Sequence, residues 1–119
     1  MITSLQEGPV ILIGYEYRLQ LEAEADLFPE DASFAGQVRS VITAATVVAE
    51  LSTAAGSVLR VDNHTLEIVL APEVTASLAP GMVVLDLVRI DLTPDRHLGF
   101  VLEIPAALPV TRLPVAEGL

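Results

Sequence analysis

From Tyr15 to Ala25 apolar and polar residues alternate without a break. Tyr15, Tyr17, Leu19, Leu21, Ala23 and Ala25 interleave with Glu16, Arg18, Gln20, Glu22 and Glu24. A period of two over that length marks a strand with one dry and one wet face. On a helix the same order would set Glu16 and Gln20 beside Tyr15 and Leu19 and leave no apolar stripe. Pro29, followed by Glu30 and Asp31, breaks the pattern into a loop.

The same reading predicts further short strands over Phe34–Ile42, Thr46–Leu51, Ser57–Val61 and Thr65–Leu70. Ala54-Ala55-Gly56 and Asp62-Asn63 are the turns between them. Pro72, Glu73 and Thr75 ahead of Ala76-Ser77-Leu78 suggest one helical turn, closed by Pro80-Gly81. Met82–Leu92 is the longest apolar stretch. Val83, Leu85 and Leu87 fall on one face, Val84 and Val88 on the other. Near-continuous apolarity predicts a central strand covered on both sides. After a Thr93–Arg96 loop, His97–Ile104 returns as the last strand. The expected fold is all-β: an antiparallel β-sandwich, immunoglobulin-like or jelly-roll-like, of about seven or eight short strands with one short helical turn. No helix-length stripe interrupts the strands, which argues against a βαβ fold.

At 119 residues the chain has room for one domain. The expected division is an N-terminal arm over 1–9, the sandwich over 10–104 and a C-terminal arm over 105–119. Pro105, Pro109 and Pro114 favour an extended course for the last segment. Yet Leu108, Val110, Leu113 and Val115 make it more apolar than a solvated tail. Two readings stand: a tail lying along its own sandwich, or an arm docking on a neighbouring subunit through those four side chains.

Charge narrows the partners. Sixteen acids face six arginines, for a formal net charge of −10. Such a chain repels phosphate backbones, so no direct nucleic-acid binding is expected. Cysteine is absent, which removes disulfides and thiolate metal sites. No apolar run approaches the roughly 18 residues of a membrane-spanning helix, and the first residues lack the basic start of an export signal.

Candidate chemistry is sparse. No nucleophile elbow or phosphate loop is present. His64 and His97 lack metal-ligand spacing and read as turn and hairpin residues. Asp26, Glu30 and Asp31 cluster within six residues. They offer calcium ligands without the spacing of a known loop, so a solvated acidic turn is the simpler reading. Glu22 and Glu24 read as a wet strand face. Asp86 interrupts an apolar strand; a buried charge needs a partner, and Arg39 or Arg89 is expected to supply it. No cofactor, metal site or enzymatic activity is expected.

The order of features resembles small virion proteins of tailed phages related to the N-terminal β-sandwich domain of phage baseplate upper proteins. The residues that carry it are Gly14-Tyr15-Glu16-Tyr17-Arg18-Leu19, Ala35-Gly36-Gln37-Val38-Arg39, and the turn from Thr75 to Leu78 before Pro80-Gly81. They continue with Val83-Val84-Leu85-Asp86-Leu87, Leu98-Gly99-Phe100-Val101 and Val110-Thr111-Arg112. The early Gly-Asp of many relatives is replaced by Gly14-Tyr15, and the Phe28–Asp31 loop lacks their Val-Asp-Leu-Thr. The resemblance implies a virion structural component made in the host cytoplasm, with other virion proteins as partners and homo-oligomers in the particle. Its place would be the tail, baseplate, neck or head surface. Nothing catalytic carries over. The alternative is a carbohydrate- or receptor-binding module, for which Tyr15, Tyr17, Phe28, Phe34 and Phe100 are the available aromatics. A metal-assisted hydrolase built on the acids and two histidines is the third reading.

Overall fold

The computed structural model describes residues 5–7 and 9–111, with side chains from residue 9 onward. Among the described residues, ten strands and one helical turn follow in chain order. They are β1 (Leu5–Glu7), β2 (Ile11–Leu12), β3 (Tyr17–Glu22), β4 (Phe34–Arg39), β5 (Ala49–Ser52), β6 (Val58–Asp62) and β7 (Thr65–Leu70). The helical turn α1 (Pro72–Ala76) precedes β8 (Gly81–Arg89), β9 (Arg96–His97) and β10 (Val101–Ala107).

These strands form an all-β sandwich. Seven build one sheet in the order β1-β10-β8-β4-β5, with β2 also on β10 and β9 also on β8. Three build the other in the order β3-β7-β6. Alternation decides what each sheet turns inward. β3 directs Tyr17, Leu19 and Leu21 to the core and β7 directs Leu66, Ile68 and Leu70. β4 sends in Phe34 and Val38, β8 Val83, Leu85 and Leu87, and β10 Leu102, Ile104 and Ala106. These side chains form one apolar cluster between the sheets, each fully buried one contributing about 2 kcal/mol.

The strand ends differ from the pattern reading in instructive ways. The Tyr15–Ala25 stretch is a strand only over Tyr17–Glu22. Gly14, at φ +93°, turns the chain before it, and after it the Ala23 N–H donates to the His64 carbonyl. The long stretch Phe34–Ile42 stops at Arg39, because residues 40–48 leave the sheet as a loop. The proposed arms also overlap the sandwich. β1 and β2 run parallel to β10, and Pro105 sits within β10, opposite Met82. A proline fits there because it falls between the stretches of β10 that pair with β1 and with β2. The antiparallel expectation therefore holds for every pair except these two with β10.

At Gly36 the large sheet is tight. A Cβ built there lies 2.2 Å from the backbone oxygen of Asp86 on β8, so β4 and β8 meet at a distance only glycine tolerates.

Candidate functional site

The outer face of the large sheet is the most distinctive surface of the molecule. Along β8 the residues pointing away from the core are Met82, Val84, Asp86 and Val88, by strict alternation with the buried set. β10 adds Val101, Glu103 and Pro105, and β4 adds Ala35, Gln37 and Arg39. Register sets these side chains in rows. Glu103 and Arg39 flank Val84 on its two sides, and Gln37 stands beside Asp86.

The loop of residues 40–48 folds back over part of this face. Arg39 holds it there, donating from Nη1 to the carbonyls of Ala44 and Ala45 at 2.8 and 3.1 Å and from Nη2 to Gln37 Oε1 at 2.6 Å. Ile42 then projects over a shallow cleft of about 130 Å³, lined by Gln37, Arg39, Val84, Leu85, Asp86 and Val101. Ile42 is 64% exposed and Val41 55%, while Val84 beneath is buried. On a water-facing surface each such side chain leaves its apolar area solvated.

Asp86 pairs with neither arginine expected for it. His97, on β9, donates from Nε2 to Asp86 Oδ2 at 2.7 Å, and His97 Nδ1 accepts the Gly99 N–H at 2.8 Å. Parity explains the failure with Arg89: three positions along a strand put it on the opposite face. Arg89 instead forks onto Asp91, Nε to Oδ1 at 2.9 Å and Nη2 to Oδ2 at 3.0 Å. Asp91 also accepts the Ser33 N–H. The Arg89 bond first, and the Ser33 N–H after it, hold the Asp91 carboxyl far below the usual carboxylate range. Arg39 lies one row along from Asp86 and is drawn to the loop carbonyls instead.

The acidic loop is not gathered into a metal site. Asp26 Oδ1 lies 2.7 Å from His64 Nε2, and among the described residues no three His, Asp or Glu converge. The His64 N–H, bonded to Asp62 Oδ1 at 2.7 Å, lowers the Asp62 carboxyl.

The aromatics the carbohydrate reading requires are mostly core. Tyr17, Phe28 and Phe34 are buried, and Phe28 and Phe34 meet edge to face at 5.6 Å. Burial pushes the Tyr17 hydroxyl up to about 12 while it donates to the Pro9 carbonyl. Phe100 is half-buried. Tyr15 reaches the surface, and its hydroxyl donates to the Thr111 carbonyl at 2.7 Å.

No protein family matches the chain by sequence, and no curated protein does. Among solved structures the Ig1 domain of mouse SynCAM 2 is similar, at 10% identity over 85% of this chain and 93% of that one, with a TM-score of 0.37. The sandwich assignment rests on the strand pairing itself.

The C-terminal contact residues divide. Leu108 and Val110 are 57% and 98% exposed, just past the end of β10. Leu113 and Val115 lie outside the described residues. The Tyr15–Thr111 bond and the Ile13 N–H to Ala107 bond tie the start of this segment to its own sandwich. One polar position went unread in the sequence. Thr75, fully buried in α1, donates from Oγ1 to the Tyr15 carbonyl at 2.8 Å and accepts the Gly14 N–H at 3.1 Å. It thereby fixes the turn that starts β3. A threonine in an alanine-rich turn carries no sequence signal for that role.

Proposed function

We propose that the chain is a non-enzymatic structural module that assembles with other protein subunits, in the setting its sequence resemblance implies: a component of a tailed-phage or phage-like virion. The observation that carries this reading is the exit of the last strand. Leu108 and Val110 point into solvent on a segment whose base is tied to the sandwich, a rigid start for an arm that reaches a neighbour. A pre-positioned segment loses little conformational freedom on binding, so modest apolar contacts suffice.

The test is co-purification with the products of the genes adjacent to its own. The full chain is expected to elute with one of them in fixed ratio, and a Leu108→Ser/Val110→Ser double variant to fold as before and lose that partner. A chain that stays alone with every neighbouring product contradicts the reading, as does a double variant that binds as well as the parent.

A further inference from the structure

We infer that the outer face of the seven-stranded sheet is the seat of a second copy of this chain, packed face to face across a two-fold axis that runs along β8. The inference deepens the assembly reading and rests on it.

A strand apolar on both faces belongs where both faces are covered. Within the chain the core covers Val83, Leu85 and Leu87 of β8; on the other face the 40–48 loop covers Val84 and leaves the Met82 end open. Met82 at 38% exposed and Ile42 at 64% remain in water beside the half-buried Val101 and Pro105. The missing cover therefore comes from outside the chain.

Charge selects what supplies it. Glu103 and Arg39 stand on opposite sides of Val84 in one row. With strands about 4.8 Å apart they are roughly 10 Å from each other, too far to bridge within the chain. Among the described residues neither takes part in an ion pair. A two-fold axis along β8 turns the row over. Glu103 of one copy then faces Arg39 of the other, and the reverse pair forms symmetrically. Met82 meets its own copy on the axis, and Pro105 faces the loop that carries Val41. Asp86 likewise meets its own copy on the axis, each carboxylate already bonded to His97 of its own chain. Twisted sheets pack with their strands nearly aligned, which this axis preserves.

The arrangement has a specific signature in charge-swapped chains, read by sedimentation velocity over a dilution series. The wild-type chain is expected to sediment at twice its 12.6 kDa mass. Glu103→Arg sets arginine against Arg39, and Arg39→Glu sets glutamate against Glu103. Each should weaken self-association by roughly tenfold or more. Mixed in equal amounts, the two variants place opposite charges at both positions and should recover the dimer, which no misfolded variant can do. Ile42→Glu, at an exposed loop position that folding does not require, should also give monomer.

A wild-type chain monomeric at every concentration overturns the inference. So do swapped variants that dimerise as well as the parent, or a mixture that stays monomeric. A monomeric wild type that still co-purifies with a neighbouring gene product overturns the two-fold dimer alone; a dimer that binds no such product overturns only the arm reading.

Discussion

The three-stranded sheet shows water Arg18, Gln20 and Glu22 on β3 and Glu67 on β7, with Arg18 bonded to Glu16 and Glu67 at 2.9 Å each, and its apolar exposure, Leu59 and Val61, is confined to the edge strand β6. The seven-stranded sheet shows Met82, Val88, Val101 and Pro105, and its charges stand apart in a row. Both sheets feed the same core, so the core does not explain the difference. A strand that needs only one dry face alternates, as β3 does; β8 is apolar on both faces save Asp86, and of its outward residues only Val84 is buried within the chain. On the dimer proposed above, the charges of β3 and β7 keep to solvent while the row of Glu103, Val84 and Arg39 meets a neighbour.

The largest expected effect comes from breaking the scaffold of the second side. Gly36→Ala forces a methyl against the Asp86 backbone oxygen, and β4 and β8 must separate. A loss of about 3 kcal/mol is expected, read as a lowered urea midpoint. An unchanged midpoint would mean that the two strands do not meet as described.

Thr75→Val comes next. It keeps the shape but leaves the Gly14 N–H and Tyr15 carbonyl without their side-chain partner, at a cost of about 1–3 kcal/mol. Because Gly14 and Tyr15 lead into β3, amide exchange should quicken first on the solvent side of the comparison. Uniform quickening across both sheets would count against a local role.

A pH effect sharpens the contrast at the other sheet. Folding lowers the Asp91 carboxyl through Arg89, so its contribution is complete above the ordinary carboxylate range near 4 and fades as pH falls through the lowered folded value. Asp91→Asn should therefore be less stable than the parent at pH 7, and the gap should close in strong acid. A gap independent of pH would remove the ion pair from the account.

The smallest effect belongs to Arg18→Ala. Its partners are solvated and screened, so the unfolding midpoint should barely move, and less still in high salt.

Much of the fold was legible because it is written in period-two patterns. β3, β7 and β8, the helical turn after Pro72 and the turn at Asp62-Asn63 lie where alternation and turn residues put them. Strand ends were not, because tertiary bonds set them: the 40–48 loop ends β4 early through Arg39, and β10 continues through Pro105. The parallel pairing of β1 and β2 on β10 joins opposite ends of the chain, which no local pattern records. The site was less legible. Leu108 and Val110 were readable as apolar residues in a proline-spaced segment, but the partner of Asp86 depended on β9 bringing His97 across, and Glu103 and Arg39 became a pair of opposites only once the register placed them around Val84.

The comparison between the two outer faces has one direct test. Sedimentation velocity is run on two single-charge variants side by side, Ile42→Glu on the seven-stranded face and Gln20→Glu on the three-stranded face. The account predicts monomer for the first and an undisturbed dimer for the second. Equal behaviour of the two, or loss of association only in Gln20→Glu, would contradict it.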